Sequence, residues 1–352
     1  MPFINEVLEH NQRMGGTAPP MRQSRFQFDL DKVMQLLRSR ITGQGAALDA
    51  IAASLALTKA ELGDPRKPLA VMLLMGPTGV GKTETVRLLA EAIHGRADAL
   101  CRIDMNTLAQ EHYAASLTGA PPGYVGSKEG NTLFDREAIE GSFGKPGIVL
   151  FDELEKASEP VIRALMNIFD NGQLRLSSGT STLDFRNSLI FMTSNVGAQA
   201  LWAWQQRQQQ GWRRWLPESW RVRQEQKQQQ QALEKAFAPE FLNRIDQQLS
   251  YQRLGDEQII LLVELALERL NNRLARHQVQ LLAEPALKTW LGEQGFDRRY
   301  GARAMARSFR QHLEPEVARV LLETPDRPAG CLLLADLDAQ QTIRLTLKGP
   351  ND

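Results

Sequence analysis

The sequence has few cysteines, no long apolar run and almost no net charge. Its two cysteines, Cys101 and Cys331, lie far apart without metal-ligand spacing, which excludes a disulfide framework and favours a reducing compartment. No apolar run approaches the ~20 residues of a membrane helix, and residues 1–6 do not begin a signal peptide. A formal net charge of +1 argues against nucleic-acid binding by bulk electrostatics. The composition therefore predicts a cytoplasmic protein without a membrane partner.

A glycine-rich loop lies between an apolar stretch and a stretch with helical spacing. Residues 76–83 read Gly-Pro-Thr-Gly-Val-Gly-Lys-Thr, which matches the pattern G-x-x-x-x-G-K-[ST]. Residues 69–75 are apolar and of strand length, and residues 84–93 carry apolar residues at helical spacing. Glycines let a backbone wrap closely around a phosphate, and a helix N-terminus presents free N–H groups to it. The sequence therefore predicts a nucleoside triphosphate site.

Two side chains at the end of this loop have expected roles. Lys82 would reach the β- and γ-phosphates, and the Thr83 hydroxyl would ligate Mg²⁺. The predicted phosphate-binding residues are Gly76, Pro77, Thr78, Gly79, Val80, Gly81, Lys82 and Thr83.

Two further apolar stretches end in polar residues. Residues 147–151 lead into Asp152 and Glu153, and residues 189–192 lead into a segment that ends at Asn195. Unbroken apolar runs fit strands buried on both faces of a parallel sheet, whose ligands lie at the carboxyl ends of the strands. Asp152 is expected to hold Mg²⁺, Glu153 to polarise an attacking water, and Asn195 to bind the γ-phosphate and that water. The glycine loop upstream favours this interpretation over a surface Asp-Glu pair.

Two other segments allow more than one interpretation. Tyr124 lies in a loop rich in Gly and Pro, where it either folds back onto the domain or forms an exposed contact. Residues 199–231 interleave tryptophans with Arg and Gln, which fits packing or an oligomer contact, a protein partner, or stacking on nucleic acid. The Gln/Lys/Glu run from 223 to 235 fits a solvated helix face. The tryptophans are Trp202, Trp204, Trp212, Trp215 and Trp220.

The chain divides by composition into three parts. Residues 1–26 are polar and broken by Gly and Pro pairs, which predicts a flexible leader. Residues 27–250 alternate helix and strand patterns, which predicts an α/β nucleotide-binding domain with a parallel sheet flanked by helices. Residues 251–348 carry amphipathic helices and two short strand candidates, which predicts a smaller, mostly helical domain with a little sheet.

Taken together, these segments resemble the AAA+ ATPases of the Clp family, and most closely the second ATPase module of ClpA- and ClpB-type protein unfoldases. The resemblance runs from about Phe28 to the C-terminus. It makes residues 76–83 the Walker A loop, residues 148–153 the Walker B strand and residues 193–195 the sensor 1 motif. The fold it implies is that of a P-loop NTPase that binds ATP with Mg²⁺.

The resemblance also implies roles that spacing does not reveal. Ile41 lies in a segment similar to the one that lines the adenine pocket. Arg244 resembles the arginine finger that enters a neighbour's active site, and Arg303 resembles sensor 2, which contacts the nucleotide. Tyr124 and Val125 are similar to the substrate-gripping pore loop.

These roles imply an ATP-hydrolysing protein remodelling motor, a homohexamer that threads a protein substrate through a central pore. The alternatives are a regulatory ATPase that switches a protein partner by assembly and, with less support, a nucleic-acid motor or loader. The chain departs from the family in two ways. An adaptor-reading domain is expected to be missing or replaced by the leader, which leaves a protein adaptor open. No Ile-Gly-Phe/Leu tripeptide is present, which argues against a peptidase partner.

Overall fold

The computed structural model describes residues 24–109, 134–175, 182–197, 218–295, 302–338 and 340–349. The chain divides into two compact units, Met1–Gly76 with Lys82–Tyr251 and Pro77–Gly81 with Gln252–Asp352. The first unit contains a parallel sheet with its helices, and the second contains helices and a small sheet.

Five parallel strands form the central sheet of the first unit. They are β1 (Ala70–Met75), β2 (Cys101–Asp104), β3 (Gly147–Asp152), β6 (Ser188–Ser194) and β7 (Gln247–Ser250). Their order across the sheet is β2-β3-β6-β1-β7, and each neighbouring pair is parallel. Every residue of β1, β3 and β6 is buried, as expected for strands covered on both faces. The predicted α/β class is confirmed.

Seven described helices belong to the first unit, and the one predicted after the glycine loop is present. They are α1 (Leu30–Arg40), α2 (Gly45–Lys59), α3 (Lys82–His94), α4 (Arg136–Glu140), α5 (Glu159–Asn171), α6 (Glu218–Ala236) and α7 (Pro239–Leu242). The Asp29 side chain caps α1 by accepting hydrogen bonds from the backbone N–H groups of Asp31 and Lys32. Helix α1 packs against α2 and α3, and so braces the helix that begins at the end of the glycine loop.

A short antiparallel hairpin extends from the end of α5. Its strands are β4 (Gln173–Arg175) and β5 (Thr182–Asp184), and Leu174 pairs with Leu183. Gly172 ends α5 in a left-handed conformation with φ of 63°. A glycine adopts this conformation without a steric cost, which allows the sharp turn from helix into strand.

Helix α6 corrects one expectation about the Gln-rich segment. The run from 223 to 235 was predicted to be a solvated face, but Gln229 and Leu233 are buried. The Ser250 hydroxyl donates a hydrogen bond of 2.6 Å to the Gln229 side-chain oxygen, and Leu233 belongs to the main apolar core. Helix α6 therefore packs against the sheet along one face, which the polar composition of the run concealed. Residues 199–217, which contain four of the tryptophans, lie outside the described part of the chain.

The second unit contains helices and a small mixed sheet, as predicted. Its helices are α8 (Asp256–Leu274), α9 (Pro285–Gly295), α10 (Ala302–Ser308) and α11 (Glu314–Glu323), with a π-helical segment at Phe309–Leu313. Its strands are β8 (Val279–Ala283), β9 (Cys331–Leu337) and β10 (Ile343–Lys348). Strand β9 pairs in parallel with β8 and in antiparallel with β10. Sequence reasoning missed β8, because five residues directly after a helix gave too short a pattern.

Within the described residues, no helix combines the length and apolar character that a membrane crossing requires.

Candidate functional site

Lys82, at the start of α3, links the glycine loop to the end of β6. Its side chain is buried, and its Nζ donates hydrogen bonds to the Gly76 carbonyl at 2.6 Å and to Asn195 Oδ1 at 2.9 Å. A buried ammonium held by oxygen acceptors keeps its positive charge at a fixed place. The structure therefore places a positioned cation where the sequence predicts phosphate.

The glycine loop has a backbone that other residues rarely adopt. Gly76, Gly79 and Gly81 have φ values of 142°, 78° and 106°, which glycine tolerates best. A Cβ at Gly76 would lie 2.4 Å from the carbonyl oxygen of Tyr251. The Tyr251 hydroxyl is 3.0 Å from Thr85 Oγ1, and burial raises the pKa of this phenol well above its usual value. The loop thus begins in close contact with a buried, neutral tyrosine that is anchored to α3.

Asp152, the last residue of β3, is buried and accepts hydrogen bonds from three directions. Its Oδ1 is 2.5 Å from Thr193 Oγ1 and 3.3 Å from Thr83 Oγ1. Its Oδ2 accepts from Arg102 Nη2 at 2.6 Å, and the pair forms an ion pair. The carboxylate is therefore fixed between α3, β6 and β2.

The oxygen atoms at this point suit a magnesium ion. Thr83 supplies a hydroxyl and Asp152 a carboxylate, and Mg²⁺ prefers such oxygen ligands. In the described part of the chain, no cluster of three or more His, Cys, Asp or Glu residues could hold a metal. Mg²⁺ in nucleotide sites usually keeps few protein ligands and takes the rest from phosphates and water. Thr83 and Asp152 fit such an ion.

Glu153 follows Asp152 in a strained conformation. Its φ of 60° and ψ of 53° place a residue with a side chain in the left-handed region. Its backbone N–H donates to Thr193 Oγ1 at 3.0 Å, and its Oε2 accepts from Asn106 Nδ2 at 2.5 Å. These contacts hold the carboxylate beside the end of the sheet. Such strain persists only where the surroundings impose it, and it is common at functional sites.

Asn195 follows β6 and is held on both sides. Its Oδ1 accepts from Lys82, and its backbone N–H donates to Glu155 Oε1 at 3.1 Å. The structure therefore brings together one group of predicted residues at the carboxyl edge of the sheet. These are Lys82, Thr83, Asp152, Glu153 and Asn195.

Sequence reasoning missed several polar residues that support this group. Arg102 bonds Asp152, Asn106 bonds Glu153, Glu155 bonds Asn195, and Thr193 bonds both Asp152 and Glu153. Arg102 lies in β2, and Asn106 follows the strand by two residues. Because β2 neighbours β3 in parallel, polar residues near its carboxyl end reach the Walker B carboxylates.

Arg244 lies near the amino ends of the strands, at the opposite end of the sheet from the glycine loop. It precedes β7, and the nearby Asp246 exchanges hydrogen bonds with the backbone of Val71 near the start of β1. Strand β1 has six residues, so it separates the two edges by about 20 Å. Arg244 Nε is 2.7 Å from Asp170 Oδ2, and Nη1 donates to the Glu240 carbonyl at 2.5 Å. A cavity of about 1150 Å³ opens beside this pair. Arg244 is therefore remote from the phosphate loop of its own chain.

The other predicted site residues are described in part or not at all. Ile41 is buried, and its N–H donates to the Leu37 carbonyl at the end of α1. Arg303 lies on α10, and its backbone alone is described. Tyr124 and Val125 lie outside the described residues.

Comparison with known proteins identifies relatives over nearly the whole chain. A family model for the AAA domain (Cdc48 subfamily) matches residues 67–248, and one for the C-terminal, D2-small domain of ClpB protein matches residues 254–330. The chain is 45% identical over 345 residues to an ATP-dependent protease ATP-binding subunit-like protein AmiB of Pseudomonas aeruginosa, covering 92% of this chain and 93% of that protein. It is 42% identical over 343 residues to an ATP-dependent protease ATP-binding subunit-like protein of Rhodococcus erythropolis, covering 95% of each.

The chain also resembles part of a longer protein. It is 38% identical over 314 residues to Chaperone protein ClpB 2 of Thermosynechococcus vestitus. That match covers 88% of this chain but 33% of the chaperone.

Replacing Thr193 tests the network at the end of β6. Thr193→Val keeps the shape but removes the hydroxyl that donates to Asp152 and accepts from Glu153. Because it leaves buried polar groups unpaired, we expect the free energy of unfolding to fall by about 1–3 kcal/mol. Thr193→Ser retains the hydroxyl and is expected to lose less. Urea denaturation of both variants measures the difference, and equal stabilities would contradict the role of the hydroxyl.

Proposed function

Because this chain belongs to the AAA+ ATPases of the Clp family and therefore hydrolyses ATP in protein remodelling, we propose that it works as a homohexamer that threads polypeptide through a central pore. The observation that supports assembly is the distance of Arg244 from the phosphate loop of its own chain. The proposed place of ATP hydrolysis is supported by the cluster of Lys82, Thr83, Asp152, Glu153 and Asn195.

Hydrolysis in the proposed site depends mainly on positioned charge. Phosphoryl transfer spreads negative charge over the phosphate oxygens, and fixed cations and donors stabilise that charge. Lys82 would bind the β- and γ-phosphates, and Asn195 would orient the γ-phosphate and the attacking water. Thr83 and Asp152 would hold Mg²⁺, which neutralises phosphate charge when it is bound. Glu153 would accept a proton from the water as it attacks.

Asn106 sets where the Glu153 carboxylate can act. Its side-chain amide donates to Glu153 Oε2, and also to Asp104 Oδ1 at 2.9 Å. This contact occupies one oxygen of the Glu153 carboxylate and holds it beside Asn106. We propose that Glu153 turns toward the water once nucleotide is bound.

Arg244 would complete the site of a neighbouring subunit. In this chain its Nε and Nη1 are hydrogen-bonded to Asp170 and Glu240, so the guanidinium is held at the surface of the unit rather than free in solvent. A cation supplied in trans makes hydrolysis depend on assembly. Ile41 and Arg303 would also contact the nucleotide.

Tyr124 and Val125 would grip the protein substrate. Six copies of an aromatic side chain around a pore would make apolar contacts with little dependence on sequence, which suits unrelated substrates. The substrate, a protein adaptor and the cytoplasmic location remain predictions of the sequence. So does the absence of a peptidase partner, although the names of both relatives matched over their full length refer to a protease.

Replacing Arg244 tests assembly of the active site. We expect Arg244→Ala to bind a fluorescent ATP analogue normally and to lose at least about 10³-fold in kcat, because arginine fingers contribute roughly 10³–10⁵. Arg163→Ala is the control, since Arg163 is an exposed arginine on α5 that pairs only with Glu159 among the described residues. It should hydrolyse ATP at the parental rate.

Mixing two inactive variants shows whether Arg244 acts in trans. Lys82→Ala subunits lack the phosphate-binding lysine but still carry Arg244, whereas Arg244→Ala subunits keep the phosphate site. Mixed rings are expected to recover part of the ATPase activity, measured by phosphate release. If the mixture stays inactive although both variants co-assemble, the arginine does not serve a neighbour.

Replacing Tyr124 separates threading from hydrolysis. We expect Tyr124→Ala to abolish unfolding of a fluorescent protein with an unstructured tail, while ATP hydrolysis without substrate stays within about twofold of the parent. Tyr124→Phe keeps the ring and should unfold the substrate. Parental unfolding by Tyr124→Ala would exclude threading by this residue and favour a switch that acts through assembly alone.

A further inference from the structure

The Asp152 carboxylate forms an ion pair with the Arg102 guanidinium at the place where Mg²⁺ is expected to bind. Arg102 extends from β2, and its Nη2 lies 2.6 Å from Asp152 Oδ2. The exposed fraction of the Arg102 side chain is 48%, against 7% for Asp152. A half-exposed cation is thus paired with a nearly buried anion.

This pairing balances the charge of a buried group. A buried carboxylate is costly unless a cation or several donors compensate it. The other Asp152 oxygen lies within hydrogen-bonding distance of the neutral hydroxyls of Thr193 and Thr83. Arg102 is the cation that forms an ion pair with Asp152 among the described residues. It is therefore the counter-ion of the buried Asp152 side chain before any metal arrives.

The same contact opposes a divalent ion. A magnesium ion near Thr83 and Asp152 would bring two positive charges close to the guanidinium, and like charges at short range repel. Arg102 can withdraw into solvent, because its side chain is already half exposed. Lys82 differs, since its side chain is buried beneath the glycine loop.

We propose that Arg102 is a resident counter-cation of Asp152, which yields to Mg²⁺ and thereby sets the metal affinity of the nucleotide site. Arg102 is a positioning residue in this role, since it acts on the Asp152 carboxylate rather than on the nucleotide. Return of the guanidinium to Asp152 would favour release of the metal after hydrolysis. The inference rests on the proposed Mg²⁺ site.

Direct measurement of metal binding tests this role. The full chain, saturated with ADP, is titrated with Mn²⁺ as a paramagnetic probe, and free Mn²⁺ is counted by electron paramagnetic resonance. Arg102→Gln removes the charge but keeps a polar side chain. We expect it to bind Mn²⁺ about 1.5-fold to fivefold more tightly, which is the change expected from the loss of a partly exposed ion pair. Equal or weaker binding than the parent would overturn the proposal.

Two controls separate the effect of losing the Arg102–Asp152 contact from the effect of changing the net charge of the protein. Arg102→Lys keeps the positive charge and should bind Mn²⁺ like the parent. Arg87→Gln makes the same change of net charge at a side chain of matched exposure, 49%, paired with Glu84 on α3. It should also bind like the parent. A gain in Arg87→Gln equal to that in Arg102→Gln would assign the effect to net charge and overturn the proposal.

A double-mutant cycle locates the interaction. Adding Arg102→Gln to Asp152→Asn should not strengthen Mn²⁺ binding, because the carboxylate that couples the two cations is gone. The same gain in both backgrounds would contradict a role through Asp152. If the parent itself binds no Mn²⁺ in the presence of ADP, the proposed metal site fails together with this inference. Equal binding by parent and Arg102→Gln refutes the inference alone.

Thermal stability gives a second readout that does not require catalysis. Arg102→Gln leaves Asp152 buried without its cation, so without divalent ions its melting temperature should lie below that of the parent. Mg²⁺ with ADP should then raise its melting temperature more than that of the parent, because tighter binding stabilises more. If Arg102→Gln is unfolded without metal, Mg²⁺ and ADP should restore a melting transition. Absence of any such rescue would overturn the proposal.

Discussion

The hydrogen bonds of the Asp152 carboxylate fix the geometry on which the nucleotide site depends. Thr83 reaches it from the start of α3, Thr193 from the end of β6 and Arg102 from β2. These elements meet because their strands are parallel and lie in adjacent positions of one sheet. Since β3 and β6 are buried along their whole length, apolar packing holds their ends in register. The polar site is therefore positioned by the apolar core beneath it.

The carboxyl ends and the amino ends of the parallel strands have different roles in the proposed motor. The carboxyl edge carries the fixed cation, the oxygen ligands and the strained Glu153, which together form a site ready to bind phosphate. The amino edge carries Arg244 with Asp170 beside a large cavity. Strand β1 runs from one of these sites toward the other and pairs with β6 and β7.

The sequence predicted the residues at the ends of long apolar strands, but not those that act through tertiary contacts. Lys82, Asp152 and Asn195 follow patterns whose chemistry is local, so a motif was enough to find them. Arg102 belongs to a strand of four residues and Asn106 follows it, and their roles depend on which strand lies next to it. Gln229 was assigned to solvent because helical composition does not show which face packs. Strand β8 was missed because its five residues directly after a helix gave too short a pattern.

The distance between Arg244 and the phosphate loop has a consequence for how such a protein can evolve. One gene encodes both parts of the proposed active site. In the proposed assembly, two subunits are needed to form one complete site. A damaging substitution at the amino edge would leave its own subunit intact and silence the adjacent one. Variant subunits would therefore inactivate rings that also contain wild-type subunits, and the defect would be dominant. Selection then acts on the compatibility of two distant surfaces within one sequence.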